Sequence, residues 1–384
     1  MNIAFVHTVF PGGGAERVTR DIARGICAED PGGYSFFVYT QNIREELLSE
    51  SYTSWFKGIS EYDFKTESRD LERLILRDEI DVLVMIARRV RGVKKIRKRT
   101  SCKIIFANHG EPFHLRYEII QRKKSKCRIE FLWKLISPLY TEFGLAEYKA
   151  KRVCLKDYRS CDVYTVLCDE YKAKICTELG LKSDSAHIVA INNSEEQVPD
   201  VCFSKEKVVL FSGRFEQFSK RIDRLMRIWK KASEQMPDWK LILAGDGPDL
   251  QMIKEMAAEM ELKNIEFVGF QHDMSGLYRK ASILCLTSQT EGWGLCLTEA
   301  QVNGVIPVAF ACTDAVKHIL SPSGVNGFLV DCFDEEQFAS VLVSLAGADA
   351  KYISTLRHNV VEKAKKYSPT RIAVQWKEVF DSLK

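Results

Sequence analysis

Four familiar signatures are missing from this chain, and each absence closes off a class of protein. No run of about 18 or more apolar residues occurs, so no segment is expected to cross a membrane as a helix. The opening MNIAFVHTVF has no basic start and no small-residue cleavage site, so it is expected to form a first strand rather than a secretion signal. The twelve cysteines contain no C-x-x-C pair, and several fall in apolar runs expected as strand (Cys285) or helix (Cys27). They read as small core residues in a reducing cytoplasm, not as a disulfide framework. Cys154, Cys161 and Cys168 recur every seven residues, but residues 163–167 read as a strand, so the three are not expected on one helical face. The dinucleotide fingerprint G-x-G-x-x-G is also missing. After Gly14 come Ala15, Glu16 and Arg17, and the second expected strand ends in Thr40-Gln41 without an acid for a ribose hydroxyl, which argues against an NAD enzyme.

What is present reads as two α/β domains. At 384 residues and 46% hydrophobic content, two cores are the natural expectation. Strands are expected at residues 3–7, 34–40, 81–86, 103–108, 162–167 and 187–191, with helices at 15–27 and 71–78. Such alternation implies parallel sheets, doubly wound. Residues 193–206 are polar and carry Pro199, so a linker is placed there. The expected organisation is then residues 1–192, the linker, a second domain at 207–366, and a last helix at 367–384.

The stretch EGWGLCLTE, from Glu291 to Glu299, carries the most chemistry. A buried strand precedes it and Gly304 can close the helix that follows. Glu291 is therefore expected on a strand-to-helix loop, and Glu299 within the helix. Gly292 and Gly294 allow close approach of a ligand, with Trp293 between them, and the helix start near Leu295 favours an anion. The competing reading is two solvated glutamates beside a tight turn. Upstream, VVLFSGR reads as a strand ending in Gly213 and Arg214, with Lys220 six positions on. Cations at the carboxyl end of a parallel strand suit a phosphate. Two further strands end in Gly245-Asp246-Gly247 and Gly269-Phe270 and could line the same crevice.

These residues resemble a family-4 retaining glycosyltransferase of the GT-B fold. The resemblance rests on GRFEQFSKRID, AGDGP, FVGF, the E-x7-E element, GVIPVAF and NGFLV, with PGGGAERV at residues 11–18 resembling the family's first glycine loop. It spans nearly the whole chain, strongly over residues 208–330 and thinly over 41–103. It implies two Rossmann-like domains facing across a cleft, with the last helix returning to the first domain. It implies a nucleotide diphosphate sugar as donor, a UDP-sugar first and GDP-mannose second, transferred to a saccharide or lipid-linked acceptor in surface polysaccharide or glycolipid synthesis. The implied catalytic set is His109, Arg214, Lys220 and Glu291. Gly13, Gly14, Gly213, Gly245, Gly247, Phe270, Gly292, Trp293, Gly294, Leu295 and Glu299 are the implied donor-binding set. His109 follows a buried strand directly and would bond a sugar hydroxyl; His7 and His114 are the alternatives.

A fifth absence shapes the mechanism. No Asp-x-Asp occurs, so no cofactor or metal is expected, and Arg214, Lys220 and the helix start would neutralise the diphosphate. Glu291 would hold the donor sugar and Glu299 the ribose, with the acceptor attacking the face that the leaving group vacates. A double displacement through Glu291, a sugar-nucleotide epimerase and a silent binding subunit are the alternatives.

Charge is uneven. Residues 84–128 hold fifteen Lys/Arg against Glu111 and Glu118, a net of +13 in a chain of +4. Aromatic and aliphatic residues follow, among them Phe131, Leu132, Trp133 and Leu135. Basic and apolar groups together suit an anionic membrane surface, placing the protein in the cytoplasm and peripherally on the inner face. No nucleic-acid recognition motif accompanies the patch. The competing reading is a solvated helix with core-facing aromatics.

Overall fold

The computed structural model describes residues 1–48, 50–127, 130–182 and 187–384. Arg128 and Ile129, at the junction of the basic and apolar stretches, lie outside the described residues. The chain divides into two units, residues 1–192 with 370–384, and residues 193–369.

The first unit is built on a seven-stranded parallel sheet. Its strands are β1 (Asn2–Val6), β2 (Ser35–Thr40), β3 (Gly58–Glu61), β4 (Val82–Ile86), β5 (Lys103–Ala107), β6 (Val163–Val166) and β7 (Ile188–Ala190). Their spatial order is β3-β2-β1-β4-β5-β6-β7. The central strands IAFV, VLVMI and IIFA are continuous apolar runs because helices cover both faces of a parallel sheet, and all these residues are buried. Tyr34, expected in the second strand, precedes it: its ring stacks on Phe36 and its hydroxyl donates to Asp381. The edge strand β3 was not expected from the sequence.

Four helices of this unit matter below. Helix α1 (Gly14–Glu29) follows β1. Helices α2 (Leu115–Lys126), α3 (Glu130–Thr141) and α4 (Leu145–Tyr158) are all inserted between β5 and β6.

The second unit holds a six-stranded parallel sheet. Its strands are β8 (Val208–Ser212), β9 (Lys240–Ala244), β10 (Ile265–Gly269), β11 (Ile283–Leu286), β12 (Ile306–Phe310) and β13 (Phe328–Val330), in the order β10-β9-β8-β11-β12-β13. Strand order reverses beside β1 in one sheet and beside β8 in the other, the doubly wound pattern that opens a crevice at the carboxyl ends of the strands. Helix α5 (Leu295–Val302) follows β11. Phe211, Phe215, Trp229, Leu243, Phe310 and Phe338 anchor this unit's core.

Residues 193–206 form no helix or strand, yet they are no loose tether. Asn193, Ser194 and Glu195 are buried, the Glu195 amide donates to the Tyr367 carbonyl at 2.7 Å, and Lys205 Nζ reaches the Asn303 carbonyl at 2.7 Å. The segment packs as part of the second unit. The last helix, α6 (Pro369–Asp381), buries Ile372, Trp376 and Phe380 in the core of the first unit with Ile3, Phe5 and Phe36. Among the described residues no helix is long and apolar enough to cross a membrane.

Candidate functional site

In the second unit, hydrogen bonds stitch the strand-end loops to one another. Gly213 N–H donates to the Ala244 carbonyl at 3.1 Å, Phe215 N–H to Asp246 at 2.9 Å, and Gly245 N–H to Gly269 at 2.8 Å. The glycines follow from this lacing. A Cβ on Gly245 would stand 1.9 Å from the Gly213 carbonyl oxygen, and one on Gly247 would stand 2.4 Å from that of Phe215. Loop against loop therefore excludes side chains at these positions, where the sequence pointed to ligand approach. Phe270 projects from the next loop, mostly exposed, with its ring edge-on to His272.

Residues 217–220 form one helical turn, after which Arg221 is left-handed at φ 47°. That turn is fastened to the loop after β11. Gln289 N–H donates to the Ser219 carbonyl at 2.7 Å, Thr287 Oγ1 donates to the Arg221 carbonyl, and Arg224 donates to Gln289 Oε1 at 2.7 Å. The lacing brings Lys220 to Glu291: Nζ donates to Oε1 at 2.6 Å, and buried Ser288 Oγ donates to the same oxygen at 2.6 Å. Burial would lower the lysine's pKa, but the Glu291 charge outweighs it and the ammonium is held above its ordinary value. Sequence pointed to Lys220 and Glu291 separately. That they pair, and that Ser288 joins them, it did not show.

Eight residues on, Glu299 Oε2 accepts from the Tyr278 hydroxyl at 2.6 Å. Burial, then the Glu299 carboxylate, pushes the Tyr278 pKa well up, so its proton stays on the phenol. Helix α5 starts at Leu295 after Gly294, left-handed at φ 94°, and no side chain caps it. A β-carbon at Gly294 would be strained in that conformation, so glycine sets the turn. Gly292 is half-buried in the loop. Arg214 is exposed and has no ion-pair partner among the described residues. Trp293 is only 3% exposed, edge-on to Tyr367 at 5.4 Å between centroids, and packs on the inner side of the loop.

The first unit holds a second cluster. Gly13 N-caps α1, Gly14 is its first residue, and Glu16 stands at the third position, where an acid can return to the cap. Glu16 does so, accepting from the Gly13 backbone. A Cβ on Gly13 would lie 2.5 Å from Glu16 Oε2. Glu16 also pairs with His7, Oε1 to Nδ1 at 3.5 Å, and His7 Nε2 bonds Thr19 Oγ1 at 2.9 Å. Burial opposes ionisation of Glu16, but His7 and the backbone donors hold its pKa below the ordinary value. His109 follows β5 and is half-buried. Burial, and then the nearby His7, push its pKa down to about 4, with Glu16 opposing. His109 is therefore neutral near pH 7. His114 lies apart, its Nδ1 bonded to the Glu111 carbonyl at 2.9 Å. Sequence reasoning gave Glu16 no role, although its place three residues after the cap is a readable signal.

The basic stretch is exposed for the most part, and four of its arginines are held in ion pairs. Arg88 pairs with Glu67 and Arg97 with Asp162; Arg89 bonds Asp157 at 2.6 Å, and Arg99 bonds Glu72 at 3.0 Å. Those four arginines are paired with acids of the first unit itself.

Residues 193–367 match the family model for glycosyl transferases group 1. An uncharacterized glycosyltransferase of Haemophilus influenzae is 28% identical over 201 residues, 52% of this chain and 56% of that protein. The chain thus aligns with little more than half of that relative's length. A Campylobacter jejuni protein, GalNAc-alpha-(1->4)-GalNAc-alpha-(1->3)-diNAcBac-PP-undecaprenol alpha-1,4-N-acetyl-D-galactosaminyltransferase, is 23% identical over 394 residues, 100% of this chain and 99% of its own. Among solved structures, Anabaena Alr3699/HepE in complex with UDP-glucose superposes with a TM-score of 0.72 over 100% of both chains at 16% identity. The fold is GT-B, with two Rossmann-like units, and the stretch that matches the group 1 glycosyl transferase model lies in the second of them. Family model and relatives together support a glycosyltransferase.

Proposed function

We propose that this protein is a retaining glycosyltransferase of surface polysaccharide or glycolipid synthesis. It moves a hexose or N-acetylhexosamine from a nucleotide diphosphate sugar, a UDP-sugar before GDP-mannose, to a saccharide or lipid-linked acceptor. The E-x7-E resemblance to family 4 belongs to this reading. The observation that carries it is the Lys220–Glu291 pair beside the uncapped start of α5, with Glu299 in the same helix.

A diphosphate leaving group needs positive charge as the glycosidic bond breaks. Lys220, Arg214 and the α5 amides supply it from the chain itself, so the transfer is read as metal-independent with no cofactor. Glu291 fixes Lys220 and offers its carboxylate to hydroxyls of the donor sugar. Glu299, oriented by Tyr278, takes the ribose hydroxyls. Gly213, Gly245 and Gly247 set the loops that present these groups, and Phe270, Gly292, Gly294 and Leu295 border the donor. In the first unit, Gly13 and Gly14 are assigned to the donor and neutral His109 to a sugar hydroxyl. As the bond from C1 to phosphate oxygen breaks, the acceptor oxygen bonds to C1 on the vacated face and its proton passes to the departing phosphate oxygen. The UDP-glucose complex of the Anabaena protein supports a UDP-sugar donor, and the name of the Campylobacter jejuni relative supports an N-acetylhexosamine and a lipid-linked acceptor. A lipid-linked acceptor places the protein peripherally on the cytoplasmic face of an anionic membrane, and the cations are assigned to lipid, not to nucleic acid.

A screen of UDP-sugars and GDP-mannose, reading released nucleotide with and without acceptor, tests the reading. Acceptor-dependent release of UDP is expected, with the product anomer matching the donor by NMR. Sugar interconversion without acceptor would mean an epimerase; binding without turnover would mean a silent subunit.

A further inference from the structure

Six of the exposed large apolar side chains are gathered in one short segment of the first unit. Phe131, Leu132, Leu135, Ile136, Leu139 and Phe143 are all exposed, with Phe131 at 73%, Leu135 at 70% and Phe143 at 78%. Phe131, Leu135 and Leu139 repeat every four residues, and Leu132 and Ile136 run beside them, so one face of α3 is an apolar stripe. The other side of α3 faces protein: Trp133 and Tyr140 are half-buried in ring contact at 6.5 Å, and the Lys149 ammonium lies 5.1 Å from the Tyr140 ring. The aromatics that could have formed a core do pack inward, and a second apolar face is left outside. A contiguous patch of this kind marks an interaction surface, unlike single exposed residues.

On α3 and on the neighbouring helices α2 and α4 and the turn between α3 and α4, exposed Arg122, Lys123, Lys124, Lys126, Lys134 and Arg152 outnumber exposed Glu118 and Glu142. Two copies meeting through the stripe would bring like-charged rims together. An in-plane helix with an apolar face and a basic rim instead matches the interface of an anionic bilayer.

We infer that α3 lies in the surface of an anionic bilayer, inserting the Phe131–Leu135–Leu139 stripe among the acyl chains while α2 supplies cations to the headgroups. This deepens the lipid-linked acceptor reading and rests on it for its purpose. It moves membrane contact away from Arg97 and Arg99, which are held in ion pairs.

Flotation of the full chain with vesicles of phosphatidylcholine, alone or mixed with phosphatidylglycerol, tests it across a salt series, with UDP affinity measured by calorimetry in parallel. Binding to the mixed vesicles, reversed by salt, is expected. The triple variant F131S/L135S/L139S should lose on the order of tenfold or more in partitioning, and K123Q/K124Q/K126Q should lose affinity at low salt. Both should keep parental UDP affinity. If the triple variant folds poorly by circular dichroism, L135S and F143S singly should each lose about threefold. A stripe variant that binds vesicles like the parent overturns the inference. So does a parent dimer that the stripe variant dissociates in sedimentation equilibrium. Vesicle binding with no UDP binding overturns the donor reading and leaves this surface standing.

Discussion

Lys220 Nζ and Glu291 Oε1 are 2.6 Å apart, so the cation and the carboxylate expected to serve opposite ends of a donor form one hydrogen-bonded pair. Each restrains the other, and Ser288 holds the carboxylate from behind at 2.6 Å. On the proposed function, that single contact links the chemistry of the departing diphosphate to that of the reacting sugar.

Lys220→Ala should lower kcat/KM about a hundredfold, roughly 3 kcal/mol of barrier, with the fold retained by circular dichroism. Because the pair acts as a unit, Lys220→Ala with Glu291→Gln should cost less than the sum of the singles. Wild-type turnover in Lys220→Ala would remove the lysine from the mechanism, and strict additivity would show that the pairing has no catalytic weight.

Glu299 and Tyr278 concern binding instead. A ribose contact persists from ground state to transition state, so Glu299→Ala should raise KM and weaken UDP binding, about tenfold, with kcat nearly kept. Tyr278→Phe removes the 2.6 Å donor that orients Glu299 and should shift affinity the same way by a smaller factor, about threefold. Glu291→Ala should mainly lower kcat. Calorimetry with UDP separates these effects; affinity lost in Glu291→Ala and kept in Glu299→Ala would reverse the two roles.

Local patterns in the sequence carried much of this architecture. Buried parallel strands are apolar throughout, so VVLFS, LILA and ILCL were legible without partners. Glu291 on a loop and Glu299 within a helix followed from Gly294 and Gly304. What stayed hidden depends on side chains meeting across the fold: Ser288 with Glu291, Tyr278 with Glu299, His7 with Glu16. The burial of Trp293 against Tyr367 was hidden too, because a tryptophan between two loop glycines looks the same in sequence whether it faces out or in. The ion pairs of Arg88, Arg89, Arg97 and Arg99 were equally hidden, because their acids, Glu67, Asp157, Asp162 and Glu72, come from elsewhere in the chain.

His109 sets a pH expectation. Its folded pKa of about 4 lies below the ordinary 6.5 because burial and His7 disfavour the imidazolium. The unfolded chain therefore binds the proton more readily between those values. The stabilising contribution of neutral His109 is fully present above about pH 6.5 and is lost as pH falls toward 4. His109→Gln should flatten the fall in denaturation midpoint across that window. The wild-type rate should show no acid limb from His109 near pH 6.5, and NMR titration of the imidazole gives the direct check. A titration midpoint near 6.5 would refute the neutral assignment.

Gly245 separates a structural role from a ligand contact. At φ 141°, with a notional Cβ 1.9 Å from the Gly213 carbonyl oxygen, it admits no side chain unless two loops part. Backbone cannot yield as a flexible side chain can, so Gly245→Ala should destabilise the protein by about 2–4 kcal/mol, read as a lower denaturant midpoint at unchanged slope. Loss of UDP binding should follow the loss of folded protein and recover where the variant is kept folded by low temperature. If instead Gly245→Ala keeps the parental midpoint and loses UDP affinity, this glycine contacts the donor directly and the loop packing is not its reason.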